Sequence, residues 1–444
     1  MNRDAMRDAT GSPPRAVVGA SSVHCVDVSL RLISRDAPAA DALHLSVRVC
    51  PSASQLEAST RPLVTVVLPI FNGEGWLDEC LGALLRQTWV SRHGLHRPAA
   101  APSTDGAGDD CSVGGVYENG HDCAPPHTAS ASLANAGLIE LSAFDDGSTD
   151  ETWARLTKHW APYLRACGWR VVLGRGARPP GGCGFAKNRA VRQSSGVWLL
   201  FQDVDDVSLP ERLDRQLEAA ARQPEALIGT RVRREPDGST ARYVSWANEM
   251  PSEQLVLHRF RECTLLMPTW FVSRAAFDET GGFAEVKCED LLFLHAHVRR
   301  GAPLYRVDGP PLVVYRYHAA AATHAIPRQT ILGHRVAAFE RDQLGAQHGA
   351  WSRFTIWGAG RDGRDFFKRL SSEARSRVLA FCDVDAKKVG TTYQYYEHFV
   401  PVVHYTQAQP PFVLCVCLDR TNGAFEANLA SLGLREGADY LHVG

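Results

Sequence analysis

The sequence predicts an α/β protein: a first domain built on a largely parallel, Rossmann-like sheet, then a smaller second α/β unit. Three observations carry this. Short apolar runs rich in strand formers alternate with amphipathic helical segments from residue 63 onward. Acidic clusters follow two of these runs, Asp145-Asp146 and Asp203-Val204-Asp205-Asp206, at the strand edge where open α/β sheets bind ligands. A second, glycine-punctuated strand–helix pattern begins at Phe354.

Taken in order, residues 1–60 have weak periodicity and many Ala, Ser, Asp and Arg, and read as a mostly disordered extension. Leu63 to Ile70 is the first strand, and Trp76 to Thr88 has apolar residues at helical spacing. Residues 89–137 break the rhythm with Gly, Ala, Ser, Pro and His and read as a disordered insertion at the opposite edge of the sheet from the acidic clusters. The pattern resumes with strand Leu138 to Phe144, the turn Asp145-Asp146-Gly147-Ser148-Thr149-Asp150 and a helix from Glu151. Strand Arg170 to Leu173, helix Phe185 to Ser194 and strand Val197 to Phe201 follow, with a helix start at Ser208-Leu209-Pro210-Glu211. The first domain thus spans 61–330, residues 331–350 form a connecting helix, and 351–444 a Rossmann-like domain. In that last part Phe354 to Trp357, Val378 to Cys382 and Pro411 to Leu418 are strands.

Bulk composition narrows the function classes. A net charge of −1 over 444 residues excludes a global basic field for nonspecific nucleic-acid binding, though not a local RNA-binding face. The twelve cysteines form no CxxC pair, and Cys415 and Cys417 fall on one side of the expected strand. Buried reduced thiols in a reducing compartment are therefore expected rather than zinc. Met1 to Ala20 has no apolar core, and Leu63 to Phe71 is far shorter than the ~20 residues of a membrane helix. A cytoplasmic protein without a membrane partner is expected; nothing in the sequence specifies its oligomeric state.

The carboxylates after Phe201 repel one another unless a cation lies between them, and an all-oxygen set suits Mg²⁺ or Mn²⁺ holding a phosphate-bearing substrate. The alternative is a solvated acidic turn before a helix. A third acidic pair, Glu289-Asp290, stands at a helix start after Gly281-Gly282-Phe283.

In this order the motifs resemble the family-2 glycosyltransferases with the GT-A fold, over roughly 63–325. Val66-Val67-Leu68-Pro69-Ile70-Phe71-Asn72 resembles the opening strand, Asp145 to Asp150 the second motif, and Asp203 to Asp206 the metal-binding motif. Gly281-Gly282-Phe283 with Glu289-Asp290 resembles the acceptor-side motif, and Tyr315-Arg316-Tyr317-His318 the closing motif. Met267-Pro268-Thr269-Trp270-Phe271 and the C-terminal Rossmann-like unit are similar to the queuosine-tRNA galactosyltransferases within that family.

The resemblance implies site roles. Pro69, Phe71, Asn72, Asp146, Lys187, Asn188 and Asp203 are nucleotide-sugar-binding candidates. Phe71 would lie on the uracil ring, or else be a core Phe; Asp146 would bind uracil, with Asp145 capping the turn. Lys187 and Asn188 would contact the nucleotide, or else lie on a solvated helix face. Asp205 would hold the metal, with Asp203 supporting it or binding ribose. His318 would be a further ligand or a diphosphate contact, and Asp290 the catalytic base. The implied reaction is inverting transfer of galactose from UDP-galactose to queuosine in the anticodon of tRNA(Tyr). The alternatives are a UDP-GlcNAc-dependent β-1,3-N-acetylglucosaminyltransferase acting on a glycan, and a non-catalytic UDP-sugar-binding regulator.

Gly358-x-Gly360-x-x-Gly363 has dinucleotide-fingerprint spacing, with Asp383 twenty residues beyond. A structural or tRNA-docking role is expected ahead of dinucleotide binding. Residues 353–388 carry nine Lys/Arg against five acids, a mild surplus able to touch phosphates.

Overall fold

The computed structural model describes residues 61–97, 137–345, 351–417 and 421–444. The expected extension 1–60 lies outside them, as do 98–136 of the expected insertion.

The first domain is a seven-stranded mixed sheet. Its strands are β1 Val64–Ile70, β2 Ile139–Asp145, β3 Arg170–Arg175, β4 Trp198–Phe201, β6 Leu227–Gly229, β8 Phe271–Ser273 and β9 Leu304–Arg306. Their order is β3-β2-β1-β4-β8-β6-β9, with β1 to β4 parallel and β8 antiparallel to both its neighbours. Three further short strands, β5 Val207–Ser208, β7 Val232–Glu235 and β10 Val313–Arg316, form a second sheet in the order β5-β10-β7.

The period-2 pattern of β1 explains the layering. Val64, Val66, Leu68 and Ile70 pack with Leu77, Leu81 and Leu84 of the helix Leu77–Leu85. Val67 points the other way, into a core with Ala186, Ala190 and Val191 of the helix Cys183–Arg192. Helices therefore cover both faces, as a buried parallel sheet requires.

Two expectations about this region change. The helix expected over 76–88 ends at Leu85, because Gln87 is extended (φ −59°, ψ 135°). Gln87 is buried, and its carboxamide donates to the Leu209 carbonyl at 2.8 Å and accepts from the Leu213 N–H at 3.0 Å. Satisfying those groups outweighs another helical turn. The insertion also starts later than residue 89. Trp89, Val90 and Leu95 are core residues, and the Trp169 indole donates to the Leu95 carbonyl at 2.8 Å.

The connecting helix spans Arg328–Gln343, beginning directly after Pro327. The C-terminal domain is a six-stranded sheet of order β13-β14-β12-β11-β15-β16. These strands are β11 Phe354–Trp357, β12 Val378–Asp383, β13 Thr392–Tyr395, β14 His398–His404, β15 Phe412–Leu414 and β16 Tyr440–His442. Only β13 pairs antiparallel. β15 stops at Leu414, short of the strand expected to Leu418, so Cys415 is buried while Cys417 is exposed. The eight cysteines among the described residues are all free. No helix among the described residues is long and apolar enough to cross a membrane.

Candidate active site

Three strand ends build the site. Ile70 of β1 pairs with Asp145 of β2, and Val67 with Phe201 of β4, so the loops that follow emerge along one edge of the sheet.

The loops after β1 and β2 hold each other. Asp145 accepts the Ser148 N–H at 2.9 Å and pairs with Arg175 at 2.9 Å. Asn72 adopts a left-handed φ of 51°. Its N–H donates to Ser148 Oγ at 2.8 Å, and its carboxamide oxygen accepts the Thr149 N–H at 2.8 Å. Pro69 is half-buried within β1, and Phe71 stands exposed just beyond it. Asp146, expected on the uracil, is buried, and its two oxygens accept the N–H groups of Gly181 (3.0 Å) and Gly182 (2.7 Å). It shapes the glycine loop that borders the cavity.

The turn after β4 is clamped from two sides. From below, Gln202 donates to the carbonyls of Asp203 (2.8 Å) and Asp206 (2.9 Å). Its own oxygen accepts Ser208 Oγ at 2.6 Å and Arg212 Nη1 at 3.0 Å. Arg212 has no exposed surface and also donates to the Phe201 carbonyl at 2.8 Å. From above, the Arg316 N–H donates to Asp206 Oδ1 at 2.9 Å, and its guanidinium to the Asp205 carbonyl at 3.0 Å. Pairing of β10 with β5, directly after the turn, fixes this approach. Two residues past Arg316, His318 Nε2 lies 2.8 Å from Asp205 Oδ2, its ring 5.4 Å from that of Trp76.

Asp203, Asp205 and Asp206 each offer one oxygen within 4.8 Å of the others. Asp206 Oδ2 is buried without a hydrogen-bond partner. Burial pushes Asp203 up to about 7, opposed by Lys187 and reinforced by Asp205. Burial, then Asp205 and Asp203, holds Asp206 well above the carboxylate range. A hard-oxygen set with an orphaned buried acceptor and crowded negative charge fits a divalent cation, as expected.

The opposite wall is the first turn of the helix Glu289–Arg299. Lys187 is almost wholly buried, with Nζ 2.7 Å from Glu289 Oε1. Burial works against its charge, but Glu289 and Asp203 outweigh that cost and raise its pKa. Lys187 therefore does not lie on a solvated helix face. Asp290 accepts the Leu291 N–H at 2.8 Å. Burial, then Glu289, pushes it up to about 6, against the pull of Lys187. Asp203, Lys187, Glu289 and Asp290 line one cavity of about 510 Å³, together with Tyr243 and Tyr315. Asp205, Asp206 and His318 are not among the residues that line it.

Asn188 departs from expectation. Its oxygen accepts the Phe283 N–H at 3.0 Å, and its amide donates to the Phe283 carbonyl at 2.8 Å and to Glu285 at 3.2 Å. Both ends of the carboxamide are committed to the loop before Asp290, so Asn188 acts as a brace rather than a nucleotide contact.

Residues the motif reading gave no role include Gln202, Arg212 and the guanidinium of Arg316. Arg212 carried a readable signal. With Leu213, Gln216, Ala219 and Ala220 it falls on one face at helical spacing, and that face is the buried one.

Asp203 after β4 and Glu289-Asp290 at a helix start thus line one cavity, an arrangement that an enzyme cleft can use. Residues 128–281 match the family described as Glycosyl transferase family 2. The match takes in both acidic turns and ends before Asp290. It agrees with the expected fold class of a GT-A domain followed by a small Rossmann-like α/β domain.

Among solved structures the chain is similar to Staphylococcus aureus TarS 1-349 in complex with UDP-GlcNAc, at 15% identity and a TM-score of 0.42. That alignment covers 63% of this chain and 66% of TarS 1-349, just under two thirds of its length. It is also similar to the mannosyltransferase PcManGT from Pyrobaculum calidifontis in complex with GDP-Man and Mn²⁺, at 17% identity and a TM-score of 0.40. There 67% of this chain and 71% of the other are covered.

Proposed function

We propose that the chain is an inverting, UDP-sugar-dependent hexosyltransferase that moves galactose from UDP-galactose to queuosine in the anticodon of tRNA(Tyr), in the cytoplasm. The observation that carries the transferase reading is the shared cavity: Asp203 on one wall and Asp290 on the other. The donor and acceptor assignments rest on the motif resemblance in the sequence.

In this reading Asp203, Asp205 and Asp206, with His318 beside Asp205, would hold Mn²⁺ or Mg²⁺, which when bound would supply positive charge for the leaving diphosphate. Asp290 accepts the proton of the acceptor hydroxyl as its oxygen attacks the anomeric carbon. The carbon–oxygen bond to the diphosphate breaks, UDP departs with the electron pair, and the anomeric configuration inverts. Lys187 keeps Glu289 ion-paired, so Asp290 faces one fewer uncompensated negative charge. Asp146, Gly181 and Gly182 fix the loop at the cavity rim, and Pro69, Phe71 and Asn72 lie at the strand edge where the uridine is proposed to rest.

The test is incubation of the protein with total tRNA, Mn²⁺ and either UDP-galactose or UDP-GlcNAc, followed by nucleoside mass spectrometry. A hexose gain on queuosine is the expected result. N-acetylhexosamine on a glycan, or tight UDP binding without transfer to any acceptor, overturns it.

A further inference from the structure

The C-terminal domain holds a second cavity, of about 550 Å³, that shares no lining residue with the transferase cleft. It opens at the C-terminal ends of the parallel strands β11, β12 and β15, where Trp357, Asp383 and Cys415 line it. β12 lies on one side of β11 and β15 on the other, so the cavity sits where strand order reverses.

Two of the three fingerprint glycines meet a steric demand of the fold. Gly358 has φ +112°, and a Cβ there would lie 3.2 Å from Val416. At Gly363 a Cβ would fall 1.9 Å from the Gly358 carbonyl oxygen, so only glycine lets the helix pack on the loop. Gly360 is different: it lines the cavity, its backbone (φ −85°, ψ −163°) suits any residue, and a Cβ there would meet nothing within 4 Å. Neither folding nor packing demands glycine there, and its lack of a side chain leaves the cavity open to close approach at that point. Gly360 also caps the nine-residue helix Arg361–Arg369 with no side-chain hydrogen bond to its first turn, and Arg361 stands exposed beside it.

Asp383 does not offer itself to a ribose. Its oxygens accept from Val384 N, Asp385 N, Ala359 N and Lys388 Nζ, all at 2.9–3.0 Å. It braces the glycine loop instead, leaving the phosphates as the part of a nucleotide that the site reads.

We propose that this cavity binds a nucleoside diphosphate, free or as half of a dinucleotide, with its phosphates against Gly360 and the first turn of the following helix. This reverses the expectation that the glycine-rich unit is structural or tRNA-docking, and it is independent of the transferase reading.

Calorimetric titration of the full chain in EDTA with ADP, UDP and NAD⁺ tests it. At least one is expected to bind one-to-one. Gly360→Asp, which places a negative charge where the phosphates lie, should weaken that binding at least tenfold without moving the melting temperature. Asp203→Asn, in the other cavity, should leave it unchanged. Tighter binding of NAD⁺ than ADP assigns a dinucleotide; the reverse ranking, or UDP binding tightest, assigns a free nucleotide. Should Gly360→Asp fail to fold, Arg361→Glu on the exposed rim is expected to weaken binding severalfold. The proposal is overturned if none of the three binds, if a folded variant with the added charge binds as wild type does, or if Asp203→Asn removes the binding.

Discussion

The base proposed here, Asp290, would act only when ionised, and its carboxyl is pushed up to about 6 by burial and Glu289. An ordinary aspartate is ionised well below that, so the shift moves the acidic limb of the reaction into an accessible range. With pKa raised, protonation sets in as pH falls through about 6, and each further unit removes about tenfold of the active form. The kcat/KM for transfer at saturating Mn²⁺ is expected to fall on that limb below about pH 6. A profile flat down to pH 4.5 contradicts the assignment. At this scale the sequence was legible where acidic motifs gather: Asp203 and Asp290 line one cleft, and Asp205 clusters with Asp203 and Asp206. Asn188 and Asp146 were less so, because a carboxamide or carboxylate that binds backbone N–H groups looks the same in sequence as one that binds a ligand.

The acidic turn is an element-scale construction. Gln202 and Arg316 hold its carbonyls, and Arg212 holds Gln202 and the Phe201 carbonyl that precedes it. Arg212 is the most exposed to loss in energetic terms, since its removal strands Gln202, Ser208 and Gln216 in a fully buried site. Arg212→Leu is expected to destabilise the fold by about 3 kcal/mol or more, measured by urea unfolding. A loss below about 1 kcal/mol would show that the network does not hold the turn. Most strands were legible from their apolar runs, whereas helix ends were not. The Leu77–Leu85 helix stops where Gln87 finds partners around Leu209, far along the chain, and no local pattern encodes that.

On the scale of the whole molecule, the two domains meet across a buried polar seam. His258 Nε2 lies 2.9 Å from Glu436 Oε1, and the rings of His258 and His442 stack at 4.9 Å. A Cβ on Gly437, at φ +85°, would fall 2.9 Å from Leu257, so the chain passes there without room for a side chain. Glu436→Ala is expected to cost about 1–3 kcal/mol by leaving buried imidazole groups unpaired. Equilibrium unfolding checks this, and an unchanged midpoint would show that the seam contributes nothing to stability. The seam was illegible in the sequence because its halves lie in separate domains, whereas the domains themselves announced their βα rhythm. The glycine fingerprint was visible from the start, but its spacing did not say whether space remained for a ligand; the cavity beside Gly360 supplies that.

The proposed mechanism divides the labour across one cleft, with the donor held on the Asp203 side and the acceptor hydroxyl deprotonated by Asp290. Transfer rate and UDP-sugar affinity measured together on Asp290→Asn test it most directly. A loss of at least about a thousandfold in kcat is expected, with donor Kd changed by less than about threefold. Transfer persisting within about tenfold of wild type, or donor binding lost along with it in a folded variant, would contradict it.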